Sequence, residues 1–509
     1  MLPTRRALLG SAMAMGAGLV LPCPVRAARA PNTLVFGLSS YPPNLQAFAA
    51  AGTAALTVKL QTHRGMLSYE SAGKVRAELA ESWEPHGPTG WRFRLREAMF
   101  HNGKPVTSED VRWTLEQVAA ERSVSPFAGQ FREIERVETP DPRTVIVVMK
   151  EPTIVLPEWL AHPHVPVVAK DSLGRDGVGV SAGPYMTKGQ ERGTSIDLEA
   201  NPRFYRPGLP KIRNLRFVAY ADENLRVAAL RAGDVDLIEY VPWEAMASIE
   251  ADPRLKLDNQ NGPFMWMGFN GARKPFDNPL VRQACAYAIR REEIVQAVFF
   301  GRGAPLAGMP LIDSSPFFDA ARSRHFSHDP GKAKVLLAQA GLADGFSAQL
   351  LSTAQYGMHK STAEIVQQHL AEIGVKVELS MPDWATRVAR GGRGQYDFFV
   401  QGSTADNNDP DGLSTLLDGS LPPSTVRSMS IPTPEVHQLF AEGRREFDTA
   451  KRKVIYERLE RQALHDCALV GLAWRAQGYA MARDVQGFRG LPGGLNFNSG
   501  ITLEDVTLG

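Results

Sequence analysis

The chain has 509 residues, with 57 Lys and Arg against 55 Asp and Glu, 43% hydrophobic residues and three cysteines. These values are typical of a globular protein and exclude a small disulfide-stapled scaffold. The near-zero net charge argues against a nucleic-acid-binding protein, which would carry a basic domain or stripe. The length predicts about three domain-sized units.

Residues 1–30 have the composition of an export signal. Arg5 and Arg6 precede an apolar run, Ala7 to Leu21, which is too short to cross a hydrocarbon core of about 30 Å. The arginine pair and the mild hydrophobicity of the run resemble a twin-arginine signal. We therefore expect cleavage near residues 27–30 and a periplasmic mature protein; an uncleaved N-terminal membrane anchor is the alternative.

Helix and strand patterns alternate along the rest of the chain, which predicts an α/β protein with mixed sheets. Trp91, Phe93 and Leu95 alternate with arginines, as in a half-buried strand. Thr107 and Asp110 have the spacing of a capping box at the start of a helix. The further predicted elements are two strands within 133–150, a helix starting at Asn278, a helix over 361–374 opened by a Ser361/Glu364 capping box, strands over 375–379 and 396–400, and a helix over 449–467.

Residues able to carry metal, redox or nucleophilic chemistry are few. The sequence contains no nucleophile-elbow, zinc-protease, P-loop or dinucleotide-binding motif, and we predict no catalytic residue and no cofactor. His162 and His164 flank a proline and could be a metal pair, but no third ligand is evident in the sequence. Cys285 and Cys467 both fall on helical patterns, which favours two buried thiols over a disulfide.

An acidic loop, 406–412, combines carboxylates and amides. Read from Asn407 to Asp418, it mimics a calcium loop, but Asn at the first position and Asp at the twelfth argue against calcium. A turn that caps the next helix is a second interpretation. A third is a hydrolase that uses Asp406 with Asp409 or Asp411, because close carboxylates can share protons.

Four groups of segments together resemble one family, the extracytoplasmic solute-binding proteins of peptide and nickel ABC importers (family 5). They follow the order of the family and span most of the mature chain. They are Leu79–Glu84 with Phe93–Arg96 and Phe100–Val111, Gly183–Tyr185 with Asn201–Tyr205, Ala229–Asp236, and Phe269–Asn270 with Phe276–Ala284 and Ala288–Ile294.

The resemblance implies an α/β clamp of two lobes, the type II, cluster C periplasmic-binding-protein fold, with an extra subdomain in the N-terminal lobe. The hinge strands would lie near Trp266–Asn270 and Gly471–Tyr479. The implied units are lobe I in three pieces (31–48, 179–263 and 477–509), an extra subdomain (49–178) and lobe II (264–476).

The resemblance also implies where a solute would bind. Peptide-binding relatives place an Asp after a lobe II strand to pair with the ligand's amine, and Asp406, followed by Asn407, matches that position. The loop could instead serve turn geometry alone. Dipeptide-binding relatives hold the ligand carboxylate with an Arg, and residues 350–356 of this chain contain no Arg.

Aromatic residues near these positions are further candidates for ligand contact. An aromatic wall can pack ligand side chains or hold an ammonium group by cation–π attraction, although core packing is an equally good interpretation of each ring. The candidates are Tyr41 on a lobe I loop, Trp384 ahead of the acidic loop, and Trp266 and Trp474 beside the hinge.

The function implied by the resemblance is the substrate-binding component of an ABC importer. It would capture a peptide or peptide-like, amine-bearing solute between the lobes and deliver it to a membrane permease and its ATPase. We expect a monomer without nucleic-acid partners. A receptor for nickel or a metal complex with the same fold, and an extracytoplasmic hydrolase, are the alternatives.

Overall fold

The computed structural model describes residues 31–509, so the predicted export signal lies outside the described residues. The N-terminal part of the described chain alternates strands with short helices. Its elements are β1 (Thr33–Leu38), α1 (Thr53–Thr62), β2 (Leu67–Tyr69), β3 (Val75–Ala77), β4 (Ala80–His86), β5 (Gly90–Leu95), α2 (Ser108–Ala119), α3 (Ala128–Phe131), β6 (Ile134–Asp141), β7 (Thr144–Met149) and α4 (Leu156–Ala161).

The middle of the chain ends in a long strand. Its elements are β8 (Tyr185–Glu191), β9 (Ser195–Ala200), β10 (Asn214–Ala219), α5 (Glu223–Ala232), β11 (Leu237–Ile238), α6 (Trp243–Glu250) and β12 (Leu255–Phe269).

The C-terminal part is richer in helices and contains the second long strand. Its elements are α7 (Pro279–Ala288), α8 (Arg291–Phe299), β13 (Gly303–Pro305), α9 (Pro330–Gln339), β14 (Phe346–Leu351), α10 (Gly357–Ala371), β15 (Val375–Ser380), α11 (Trp384–Gly392), β16 (Phe398–Ser403), α12 (Ser414–Leu417), α13 (Pro434–Arg445), α14 (Thr449–Asp466), β17 (Leu469–Ala482), β18 (Val485–Gln486) and β19 (Thr507–Leu508), with 3-10 segments at Arg322–Arg324, Pro410–Leu413 and Gly493–Asp505.

One mixed sheet runs through the molecule in the order β15-β14-β16-β12-β17-β11-β1-β10-β9-β8, with β13 also paired to β17. The pairs of β1 with β10 and of β14 with β15 are parallel, whereas β12 and β17 are antiparallel. A separate four-stranded sheet, β4-β5-β7-β6, has its own apolar core. The predicted α/β class is confirmed.

The two long strands, β12 and β17, join the two halves of the large sheet. The first half of β12, Leu255–Asn261, pairs with Ala476–Ala482, and the second half, starting at Phe264, pairs with Leu469–Trp474. The register shifts between Asn261 and Phe264, and such irregularities bend a strand and increase its twist. The apolar cores on the two sides of this break are distinct.

Most of the predicted elements are observed. The strand at Trp91–Leu95, the two strands within 133–150 and the helices starting at Asn278 and Thr449 are confirmed. Thr107 and Asp110 form the predicted capping box, with the Thr107 amide donating to Asp110 Oδ2 at 2.9 Å. No helix among residues 31–509 is both long and apolar enough to span a bilayer.

The predicted start of one helix is wrong. The Ser361/Glu364 pattern predicts a helix start at 361, but α10 already begins at Gly357, so Ser361 lies inside the helix. The reason is tertiary: Ser352 Oγ donates to the carbonyl of His359 at 3.0 Å. The loop after β14 is thereby tied to the early turn of α10.

Both cysteines of the described chain are free and buried, as the helical patterns predict. Cys285 lies in α7 and Cys467 follows α14. Burial raises the pKa of both thiols, so they are protonated and unreactive at neutral pH.

Candidate functional site

The acidic loop follows β16 and is shaped by its own side chains. The Asp406 amide donates to the Gly412 carbonyl at 3.0 Å, and Asn407 Oδ1 accepts from the Asp409 amide at 3.0 Å. A Cβ on Gly412 would lie 2.7 Å from Asn407 Oδ1, so the close approach requires glycine. Asn407 is buried and maintains the turn, which supports the turn interpretation for this residue.

Two of the three carboxylates in the loop are paired with arginines. Asp409 receives a bidentate contact from Arg452, at 2.6 and 2.8 Å, and Asp411 accepts from Arg444 Nε at 2.6 Å. Trp159 of α4 also donates to Asp411, at 3.3 Å. These two acids therefore hold the loop against α13, α14 and the subdomain that contains α4.

Asp406 is different, because the only hydrogen bond that its carboxylate accepts from residues 31–509 comes from Thr415 Oγ1, at 3.2 Å. No cation of the described chain lies within ion-pair distance. Burial, and secondarily the charge of Asp411, raise the pKa of Asp406 to about 7. The site thus contains a half-buried carboxylate that a bound cation would stabilise.

The loop lies where the two halves of the molecule meet. Thr404 Oγ1 donates to the Gly494 carbonyl at 3.1 Å, and the Gly494 amide donates to Asn408 Oδ1 at 2.8 Å. Asn408 Nδ2 donates to the Pro492 carbonyl at 3.1 Å. The loop after β16 therefore contacts the segment after β18 through three hydrogen bonds, and these bonds link the two halves of the large sheet.

Trp474 lies at the same junction. Its half-buried ring packs edge-on against Phe264, with centroids 5.6 Å apart. It lines a groove of about 630 Å³ together with Asn261 and Gly493, and a smaller pocket together with Asn407. Trp474 is therefore a predicted aromatic residue that lies close to the acidic loop.

Trp384 begins α11, where the Asp383 side chain accepts from the Thr386 amide at 3.0 Å. Its half-buried ring meets Tyr356 and His359 edge-on, with centroids 5.4 and 5.8 Å apart. Both neighbours lie at the start of α10. The three rings thus stand at the carboxyl ends of β14 and β15, the edge where ligands bind in α/β sheets.

The other two predicted aromatic residues are placed less favourably for ligand contact. Trp266 is fully buried, and its indole donates to Ser403 Oγ at 2.9 Å. For Trp266 the structure thus favours the core-packing interpretation over ligand contact. Tyr41 is half-buried, and its hydroxyl lies 3.4 Å from Gln190 Oε1 of β8, the outermost strand of the sheet.

The metal interpretations receive no support from the geometry. The rings of His162 and His164 are tilted against each other, with centroids 5.0 Å apart, and His164 contacts Lys59. Burial followed by the charge of Lys59 lowers the pKa of His162 to about 3. Asp418, the last position of the hypothetical calcium loop, instead accepts from His437 at 2.8 Å. Residues 31–509 contain no group of three potential metal ligands.

Sequence reasoning missed three buried basic residues near Trp384 and the crossing strands: His359, Arg387 and Arg475. Each is about 3% exposed. For Arg475 a signal was available, because a charged residue inside the otherwise uncharged and mostly apolar strand β17 is unusual. Arg387 and His359 lie on helices, where their sequence pattern is typical of any solvated face.

The chain is similar to several known proteins. Residues 74–423 match the bacterial extracellular solute-binding proteins, family 5 Middle. The PBP AgaA of A. tumefaciens R10, solved with agropinic acid, is 38% identical with a TM-score of 0.86, covering 94% of this chain and 99% of AgaA. The glutathione-binding protein GsiB of Escherichia coli (strain K12) is 26% identical over 496 residues, 94% of this chain and 95% of GsiB.

A more distant structure shares the fold. The periplasmic binding protein DppA of Helicobacter pylori, in complex with the peptide STSA, has a TM-score of 0.81 at 20% identity, covering 94% of this chain and 98% of DppA. The predicted two-lobed clamp is therefore confirmed, and so is the predicted family resemblance.

Proposed function

Because the chain belongs to the bacterial extracellular solute-binding proteins of family 5, we propose that it is the receptor of an ABC importer. It is a substrate-binding protein and not an enzyme, and proteins of this family act outside the cytoplasm. It would capture a small solute between its lobes and deliver it to a membrane permease. The Arg5-Arg6 segment would direct its export.

The proposed moving units follow the break in the crossing strands. Residues 31–48, 179–263 and 477–509 would form one lobe, with residues 49–178 attached to it, and residues 264–476 would form the other. The register shift between Asn261 and Phe264 supports this boundary. Hinges of clamp proteins are a few residues at the ends of elements that absorb the change in backbone angles.

We further propose that the solute carries an amine, whose partner is Asp406. The observation that carries this proposal is that Asp406, unlike Asp409 and Asp411, has no arginine partner. Asp406 belongs to the loop that contacts Gly494, at the proposed junction of the two lobes. An ammonium group would replace the missing cation and favour the ionised carboxylate. Trp384 and Trp474 are the proposed aromatic contacts.

Candidate solutes come from the relatives. AgaA was solved with agropinic acid, and GsiB is a glutathione-binding protein. Mass spectrometry of the solute released by denaturing purified protein, followed by a thermal-shift screen with both compounds and peptides, tests the proposal. A solute at 100 times its Kd adds about 2.7 kcal/mol of stability, which raises Tm by several degrees. Failure to find any stabilising or co-purifying small solute contradicts the receptor function.

The Asp406→Asn substitution tests the amine contact. We expect affinity for an amine-bearing solute to fall about 10- to 100-fold, because a charged hydrogen bond is lost. An N-acetylated form of the same solute is the matched control, since it should bind wild type and variant alike. Calorimetry gives both affinities; equal affinity of the free amine for both proteins would exclude Asp406 as its partner.

A further inference from the structure

Two guanidinium groups of the described lobe II residues are buried with neither an acid nor a full set of hydrogen-bond acceptors. Arg387 and Arg475 are each 3% exposed. No Asp or Glu among residues 31–509 forms an ion pair with either group, and the Nε atom of each has no hydrogen-bond partner there. Arg387 donates to Gln401 Oε1 at 2.7 Å and to the Val400 carbonyl at 3.4 Å, and Arg475 contacts the thioether sulfur of Met358 at 3.0 Å and donates to the Tyr240 hydroxyl.

Other buried arginines in the same lobe are satisfied. Arg282 is equally buried, but it donates to the carbonyls of Phe276, Asp277 and Cys467 at 2.7 to 3.3 Å. Arg452 forms the bidentate pair with Asp409. Leaving a buried charge without such partners is costly. Two neighbouring buried arginines without such partners are therefore typical of an anion-binding site.

Arg475 lies between the two lobes. It follows Trp474 on β17, directly beside the break in the crossing strands. From lobe I, the Phe497 ring lies 6.0 Å away and stacks on Tyr240, which has the unusual positive φ of 50°. From lobe II, Met358 supplies its sulfur contact. Strained residues of this kind cluster at binding sites.

His359 connects the two arginines. A Cβ on Gly402 would lie 3.7 Å from Arg475 Nη2 and 3.8 Å from His359 Nε2, so both groups lie over the same glycine. Burial, followed by the charges of Arg387 and Arg475, lowers the pKa of His359 to about 3. Its Nδ1 atom is buried without a partner. Arg387 lies under the Trp384 ring, 5.2 Å from its centroid.

We propose that Arg387 and Arg475, together with His359, bind a carboxylate of the captured solute. This inference rests on the proposed receptor function and narrows it to organic acids. The two arginines would supply the positive charge that residues 350–356 lack, since this segment contains no basic residue and its Thr353 hydroxyl already donates to the Pro382 carbonyl. Since Arg475 is contacted from both lobes, a bound carboxylate would also favour closure.

The test compares each acid with its methyl ester, using agropinic acid, glutathione and the solute that co-purifies. Calorimetry should show that wild type binds the acid about 10- to 100-fold more tightly than the ester, as expected for charged hydrogen bonds. In Arg387→Met and Arg475→Met this preference should largely disappear. Equal binding of acid and ester by wild type would overturn the inference while leaving the receptor function intact. If no solute binds, the receptor function itself has failed.

A second measurement needs no solute. Because each substitution removes an unpaired buried charge, the ligand-free Tm of Arg387→Met and Arg475→Met should equal or exceed that of wild type. Arg282→Met is the matched control, and its Tm should fall because several buried carbonyls lose their donor. If the Arg387 and Arg475 variants are destabilised as strongly as Arg282→Met, the two arginines are structural and the inference is wrong.

Discussion

Within one loop, three aspartates have different roles because their neighbours differ. Asp409 and Asp411 are held by Arg452 and Arg444 and serve the architecture. Asp406 has only the Thr415 hydroxyl. A buried carboxylate is costly to ionise unless a cation or hydrogen-bond donors stabilise it. We therefore expect a bound ligand to control the ionisation of Asp406, which has no arginine partner.

The raised pKa of Asp406 has a consequence for stability. Its pKa is about 7 in the folded chain, against an ordinary value of 3.8. Between these values the folded state binds more protons at Asp406 than the unfolded state, so the contribution of Asp406 to the stability of the ligand-free protein should fall as the pH rises from 4 to 7. Glu158, whose pKa burial raises to about 8, acts in the same direction.

Comparison of wild type with Asp406→Asn isolates the part due to Asp406. We expect urea unfolding at pH 5 and pH 8 to show a smaller loss of stability in the variant, because its amide does not ionise. Tyr69, Asp411 and Thr415 face this carboxylate and remain unchanged. If wild type and variant lose the same free energy between the two pH values, the pKa of Asp406 is not raised.

At the scale of elements, the 3-10 segment Gly493–Asp505 contacts several other parts of the fold. Gly494 contacts the acidic loop, and the Asn496 carbonyl accepts from Tyr479 of β17 at 3.1 Å. Glu504, completely buried, lies 2.7 to 2.9 Å from Arg64, Arg76 and Arg206. One short segment therefore ties β2 and β3 to β17 and to the loop between β9 and β10.

We expect Glu504→Gln to destabilise the protein by about 3–5 kcal/mol, because the three arginines lose one of the two buried carboxylates that they share, the other being Glu78. Urea unfolding should show this loss. Hydrogen exchange should show its largest increase in β2 and β3. The control is Glu97→Gln: its side chain is 89% exposed and pairs with Arg143 at 3.4 Å, so at most about 1 kcal/mol should be lost. Similar effects of the two substitutions would contradict the structural role of Glu504.

At the scale of the whole molecule, the two long strands β12 and β17 join the halves of the large sheet in residues 31–509, and the halves also meet at the acidic loop. The crossing is bent where the register of β12 and β17 shifts. We therefore expect closure of the clamp to depend on contacts across this junction. Small differences in those contacts can shift the balance between open and closed forms.

Gly494→Ala tests this view. A Cβ at Gly494 would lie 2.8 Å from the Ala405 carbonyl oxygen and 2.9 Å from that of Asn407, both across the junction. We expect the clamp to open, seen as a larger radius of gyration in small-angle scattering, and solute affinity to fall about tenfold, in line with typical overpacking costs. Gly189→Ala, with no atom within 4 Å of the added Cβ, should change neither quantity. An unchanged radius of gyration in Gly494→Ala would mean that this contact does not hold the clamp closed.

Local patterns were sufficient wherever a segment's structure depends on its own residues. The capping box at Thr107, the N-cap at Asn278 and the alternation at Trp91–Leu95 all specify their elements through neighbours in sequence. The start of α10 could not be predicted in this way, because a hydrogen bond from Ser352 outside the helix is part of that first turn.

From the sequence alone, the α/β class, the family and the acidic loop were accessible, because periodicity, caps and motifs are local properties. Which aspartate lacks a cation was decided by tertiary structure, since Arg444 and Arg452 reach the loop from helices later in the chain. The same holds for Arg387 and Arg475. Only the folded chain buries them beside His359 without an acid, and an unpaired charge is defined by what surrounds it in space.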